Sequence, residues 1–283
     1  MSFVTNVLVL GLIEAAPLVL AAAGFTLIYY LNGFINVAYG EYVTFGAYIA
    51  VLMNSIIGLN FYLTIIPAAI LGGVASVATY LLVFKPAINR GVGETEMIIL
   101  SVGLSFFFRY TVRLVAGTQI YTFDIASPSY FSIFGIGITS VQITALALVG
   151  IISVGLYYLI YKTNYGEMMR GLANNKDLAM VSGINPDKVS LIIWFVAGLS
   201  GGLAGVFYGV FSNVSTSLGW NLILIIIMIS IVGGIGNVRG ALIASIGAGM
   251  TTTAVTLVTT PLYGQVVLLI FFIGVLKVRK EWG

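Results

Sequence analysis

From Leu8 to Leu276 this chain is a succession of apolar runs, each about 20 residues long, the length that crosses the hydrocarbon of a bilayer as a helix. Stretches such as Leu222–Val232 do not alternate, which excludes a transmembrane β-barrel, whose strands alternate apolar and polar residues over about ten positions. Charge excludes a soluble domain: 7% of residues are charged, against roughly 25% in globular proteins. Residues 1–283 read as one all-α domain, a polytopic transmembrane helical protein of about eight or nine spans.

The first span is Leu8–Leu31, and the start MSFVTNVLVLGLIEAAPLVL has no basic segment before its apolar run, so it reads as retained rather than as a secretory signal. Glu14 and Pro17 interrupt it. A carboxylate within a span is costly, and Glu14 has two readings: it reaches water at the outer interface, or it contacts a substrate. After the polar stretch Asn32–Glu41 come spans over about 42–57 and 61–84, then a charged loop, Lys85–Glu96, and a fourth span, Met97–Val115. The expected layout continues with a turn-rich segment, Gly117–Ser140, a span at Val141–Tyr161, a long polar segment, Tyr161–Ser190, and spans at Leu191–Phe211, Leu218–Val232, Ala241–Val258 and Leu262–Leu276.

Orientation follows from lysine and arginine, which accumulate on the cytoplasmic side of short loops. Lys85–Arg90, Lys162–Lys188 and the tail Lys277–Lys280 hold nine of the twelve basic residues, whereas Gly117–Ser140 holds none. The basic segments are therefore expected inside, with the C-terminus cytoplasmic, and Gly117–Ser140 outside. Arg109 and Arg113, at i and i+4 in the outer half of the fourth span, either snorkel to the interface or face a pathway entrance or an external acidic partner.

Much chemistry is missing. With no Cys and no His, the chain has no disulfide, thiolate, imidazole metal site or histidine-based acid–base pair. There is no nucleotide-binding G-x-x-x-x-G-K-[ST] loop and no plausible pair of catalytic carboxylates. An enzyme is therefore not expected, nor a cofactor or a metal. Scattered basic residues, at a net charge of +3, indicate no nucleic-acid partner; the partner everywhere is membrane lipid.

Two segments resemble one another: Gly33-Phe-Ile-Asn36-Val37-Ala-Tyr-Gly40 and Gly234-Ile-Gly-Asn237-Val238-Arg-Gly240. Gly-interrupted apolar segments at matching places in two halves point to a transport pathway, because irregular backbone at membrane depth survives only where protein buries it or water reaches it. Asn36, Gly40, Glu41, Gly233, Gly234, Gly236 and Asn237 are the candidate pathway residues; the alternative is two tight turns in a Gly-rich chain. The small residues of Ala197–Gly209, with Gly198 and Gly202 or Gly201 and Gly205 one turn apart, read as close helix packing or a subunit seam.

Tyr161–Ser190 carries its own helix signals. Leu172–Ser182 is helix-forming, Asn174 is a candidate N-cap for Asn175–Ser182, Gly183 suits a C-cap and Pro186 helps stop the helix. Lys176, Asp177, Asn174 and Asn175 leave few apolar anchors for lipid, which favours a soluble partner at this surface over an interfacial helix.

Ile35–Ala50 (INVAYGEYVTFGAYIA), Gly166–Asn185 (GEMMRGLANNKDLAMVSGIN), Gly202–Gly209 (GLAGVFYG) and Val232–Gly249 (VGGIGNVRGALIASIGAG) resemble, in order over nearly the whole chain, the branched-chain amino acid ABC importer permeases, of the shorter subunit type. The resemblance implies a single ABC-importer permease domain that pairs with a sister permease subunit, as a heterodimer. It also implies two cytoplasmic ABC ATPase subunits and an extracytoplasmic solute-binding protein. The family's cytoplasmic coupling helix, which docks in the ATPase groove, corresponds to Gly166, Arg170, Ala173, Asn174, Ala179, Gly183 and Ile184, with Asp177 inside it. The family's I-N-F-A-x-G-E block matches Ile35, Asn36, Ala38, Gly40 and Glu41, with Val37 for Phe and Tyr39 for a common His. Its G-G-I-G-S-I-x-G block matches Gly233, Gly234, Ile235, Gly236 and Gly240, with Asn237 and Val238 as departures and Arg239 as an unusual residue. The expected function is alternating-access import of a branched-chain or other aliphatic amino acid. Related permeases carry urea, short amides or other amino acids, and a stand-alone channel or ion-coupled carrier is the rival class.

Overall fold

The computed structural model of the protein describes residues 3–125, 129–133, 135–234 and 236–278. Its helices are α1 (Phe3–Asn32), α2 (Tyr39–Ser55), α3 (Phe61–Thr79), α4 (Lys85–Asn89), α5 (Glu94–Ala116), α6 (Ser140–Lys162), α7 (Asn164–Asn174), α8 (Lys176–Val181), α9 (Pro186–Phe211), α10 (Leu218–Gly233), α11 (Val238–Thr256) and α12 (Pro261–Val278). Among the described residues, six helical stretches are long and apolar enough to cross a membrane, and Leu218–Gly233 and Tyr263–Val275 are shorter apolar helices. The chain is a polytopic all-α membrane protein.

Several boundaries move from their expected places. A π-helical turn, Tyr80–Phe84, joins α3 to α4, so the third helix runs through Lys85 to Asn89 and shortens the expected loop. Pro86 closely follows this turn: it has no amide hydrogen to continue the helical ladder, and the wider π turn ahead of it accommodates the gap. Pro186 does not stop a helix but begins α9, with Asn185 ahead of it accepting from the Lys188 amide; proline's fixed φ suits a first helical position. The cap of α8 is Asn175, whose side chain accepts from the Leu178 amide, and the expected cap Asn174 is the last residue of α7. Gly183 behaves as expected: at φ +85 it closes α8, with Gly183 N donating to Met180 O and Ile184 N to Ala179 O.

At the centre, α1 packs against α9 and α11, and α9 against α2 and α3. Small residues allow this. A methyl group on Gly198 would meet the Gly72 carbonyl oxygen at 2.6 Å, and one on Gly202 would meet that of Ala68 at 2.8 Å. Gly201 lies under the Tyr39 ring. The glycine run of α9 is thus packing within the subunit, where dispersion between closely approached backbones takes over from a hydrophobic force that lipid cannot supply. By contrast α5 and α6 are largely exposed along their length.

The two ends of the molecule differ. Asn32, Asn89, Lys176 and Asp187 line one cleft, which puts the loop after α4 and the α7–α8 segment at the same end. Asn54, Asn60, Asp124 and Ser140 line another, at the end that carries an antiparallel hairpin, β1 (Tyr130–Ile133) and β2 (Ile136–Thr139). Of the basic tail, Arg279 and Lys280 lie outside the described residues, as does Ile235.

Candidate functional site

Two places concentrate the candidate residues. The first is the α7–α8 segment. Thr163 begins α7 by accepting from the Gly166 amide, and the chain turns so tightly that a methyl group on Gly166 would collide with the carbonyls of Leu159 and Ile160. Arg170 Nη1 then donates to the Ile160 carbonyl, using an acceptor that the end of α6 leaves free. Met169 and Leu172 are buried, Ala173 and Ile184 half-buried, and Ala179 buried, so α7 and α8 lie against the rest of the chain. Asn174, Asp177 and Gly183 are exposed. Lys85 Nζ reaches Asp187 Oδ2 at 2.9 Å and sets α4 beside the start of α9. Solvent screens this pair, so it positions the two elements more than it stabilises them.

The expected shortage of apolar anchors on this segment does not hold. Leu178 is 64% exposed and Val181 87% exposed, with Met180 beside them, because the capped turn at Asn175 rotates these side chains outward while Ala179 faces in. The segment presents an apolar patch preceded by the exposed Lys176 and Asp177.

The second place is a junction of two helix starts. Residues 33–38 are not helical, so Tyr39, Gly40 and Glu41 form the first turn of α2. The Tyr39 hydroxyl donates to the Ala197 carbonyl midway along α9, so α2 begins at the level of that helix's middle. Gly40 faces Gly219 in the first turn of α10, and a methyl group on Gly40 would come within 2.6 Å of the Gly219 carbonyl oxygen. The Gly219 amide donates to Thr44 Oγ1 at 3.0 Å. Two helix N-termini therefore meet inside the protein, where their partial positive charge favours an anion.

Glu41 supplies that anion. It is 0% exposed; Oε1 accepts from Ser105 Oγ at 2.8 Å and lies 3.9 Å from Arg109 Nε. The Arg109 guanidinium sits 4.0 Å over the Trp220 ring and 5.2 Å over that of Phe106. Arg109 therefore does not snorkel: its side chain is 11% exposed, and it turns inward to the charge and the aromatic faces. Arg113, one turn further along α5, is exposed and lies over Tyr110. Glu41 Oε2, Arg109 Nε and Arg109 Nη2 are buried with no hydrogen-bond partner, so the junction keeps polar capacity that the closed packing does not use. Ser101 Oγ, also on α5, accepts from the Val37 amide at 3.0 Å. Neither serine, nor Thr44 or Trp220, carried a signal in the sequence, because only the approach of α5 and α10 to α2 gives them a role.

The other candidates sit elsewhere. The Asn36 side chain is 1% exposed with no hydrogen-bond partner, beside the Tyr42 hydroxyl and near Ser76 and Thr79. Gly233 packs on Gly240, Gly234 and Gly236 take positive φ, and Asn237 caps α11 by accepting from the Gly240 amide. This is a tight turn at the end carrying the α7–α8 segment, with Arg239 over the Tyr161 ring at 4.2 Å. The two matching segments still face one another: Ile35 and Gly236 line the same cavity of about 150 Å³, which Thr26 and Ser230 cross with a 3.1 Å hydrogen bond. Asn237 itself does not reach the Glu41 junction.

The family described as branched-chain amino acid transport system / permease component matches residues 7–276. Among relatives, the probable branched-chain amino acid transport permease protein LivH of Methanocaldococcus jannaschii is 28% identical over 284 aligned residues, covering 95% of this chain and 88% of its own. The high-affinity branched-chain amino acid transport system permease protein LivH of Escherichia coli K12 is 25% identical, with 95% and 91% covered. The ribose import permease protein RbsC of the same strain is 23% identical, with 92% and 81% covered. No solved structure matches the chain. With residues 7–276 matched and its apolar helices in place, this multi-pass plasma-membrane protein belongs to the branched-chain amino acid transport system permease family.

Proposed function

We propose that the chain is the transmembrane subunit of an ATP-driven importer and moves a branched-chain or other aliphatic amino acid inward by alternating access. The basic end, with α7 and α8, faces the cytoplasm together with the C-terminus, and two ABC ATPase subunits dock there. A sister permease subunit completes the pathway, and an extracytoplasmic solute-binding protein delivers the cargo to the hairpin end. The observation that carries the reading is the attachment of α7 to the end of α6 through Gly166 and the Arg170–Ile160 contact. A force on the exposed patch of α8 therefore reaches α6 through α7, and reaches α9 through the short link 182–185.

A partner can bias such an equilibrium only by contacting its two states differently. The patch of Leu178 and Val181, with Lys176 and Asp177 just ahead of it on α8, suits a groove with an apolar floor and a charged rim. The names of the curated relatives support the cargo class, and the ribose permease among them shows that the similarity extends to carriers of other small solutes. Co-purification tests the reading. An ATPase should come down with the wild-type chain and be lost with Arg170→Glu or Gly183→Trp; an ATPase still bound and fully coupled in both variants would overturn it.

A further inference from the structure

One cavity is built from polar groups that the contacts above leave unused. It lies between α1, α6, α9, α11 and α12, at the hairpin end, and has a volume of about 330 Å³. Glu14, Gln142, Tyr208, Thr253 and Gln265 line it, one from each helix. Glu14 has no basic partner: the ion pairs among the described residues are Lys85–Asp187 and Arg109–Glu41. The Thr253 hydroxyl is buried, the residue being 5% exposed, and has no hydrogen-bond partner. Tyr208 stands close enough to Glu14 to feel its charge. α9 and α11 end at this side of the molecule and α6 and α12 begin there, so the partial charges of the helix termini offset one another.

The Glu14 carboxylate is the one formal charge among the described residues that line the cavity. A single carboxylate with hydroxyl and amide oxygens around it favours a hard cation that takes oxygen ligands. No group of three or more His, Cys, Asp or Glu occurs among the described residues, so a divalent cage is lacking and one formal charge is to be matched. The space exceeds a bare ion: at ~30 Å³ per molecule it equals about ten waters.

We propose that this cavity binds a small monovalent cation, an alkali ion with its water or the ammonium head of a small organic amine. The site does not depend on which cargo the permease carries, and its test uses none. The full-length chain in lipid nanodiscs is titrated with sodium, potassium or methylammonium chloride against N-methylglucamine chloride at constant ionic strength, and Tm is read. The wild type should show a saturable rise in Tm, and the salt that gives it separates an alkali ion from an amine. Glu14→Gln should weaken the apparent affinity at least about tenfold, as expected when a charge-assisted contact is lost, with its Tm in N-methylglucamine kept. Thr253→Val, nearly the same in shape, should weaken it by a smaller factor and decides the matter if the Glu14 variant does not fold. A wild type that responds to none of the salts, or an affinity unchanged in the variants, would overturn the proposal.

Discussion

At the scale of single residues, the Glu41–Arg109 pair stands on mutual compensation. Removing a carboxylate and a guanidinium from water costs several kcal/mol each, and the pair recovers this through proximity, the Ser105 hydrogen bond, the Trp220 face and two helix N-termini. Deleting one partner leaves the other charged and buried. We expect Arg109→Met to destabilise the protein by about 3 kcal/mol, the loss typical of a broken buried pair, and the Arg109→Met/Glu41→Gln double variant to recover more than half of it. Thermal unfolding in detergent measures this, and strictly additive losses would show that the two side chains are not coupled. The same junction explains why Arg109 departs from its expected place at the interface. Nothing near it in sequence marks an acid, since Glu41 is bonded to a serine 64 residues away along the chain.

At the scale of elements, short polar side chains decide where helices begin. Thr139 and Gln142 form a reciprocal capping box at the start of α6, and Thr163, Asn175, Asn185 and Asn237 each accept an amide at the start of a later helix. Of these starts, only that of α8 was marked by a cap in the sequence analysis, and α9 and α11 begin before their expected spans at Leu191 and Ala241. The error at α8 was one position, Asn174 for Asn175, because adjacent asparagines offer equal cap chemistry and the packing of α7 through Leu172 selects between them. We expect Asn175→Ala to cost α8 about 1 kcal/mol and to speed hydrogen exchange at the Leu178 amide, whereas Asn174→Ala leaves that amide's exchange unchanged. Equal effects of the two substitutions would remove the cap assignment.

At the scale of the whole molecule, the two ends carry different charge, and the positive-inside tendency supports the proposed orientation. The absence of cysteine makes this directly testable, since each introduced thiol stands alone. In intact cells, a membrane-impermeant maleimide should label Gln119→Cys at the hairpin end and should reach Ser182→Cys, after α8, only when the membrane is opened. Labelling in the reverse pattern would invert the proposed orientation.

The order and approximate extent of the apolar helices, their interruption near Gly33 and Gly234, the Gly183 cap and the clustering of basic residues were determined by the sequence alone, because each depends on residues within a turn or a span of one another. The tertiary structure decided which interruptions matter and how. It placed the start of α2 against the start of α10, drew Arg109 inward to Glu41, and left Asn237 as a cap at the far turn. The physical reason is that a charge or an unpaired hydroxyl inside a membrane protein takes its meaning from what packs against it, and those neighbours come from helices distant in the chain.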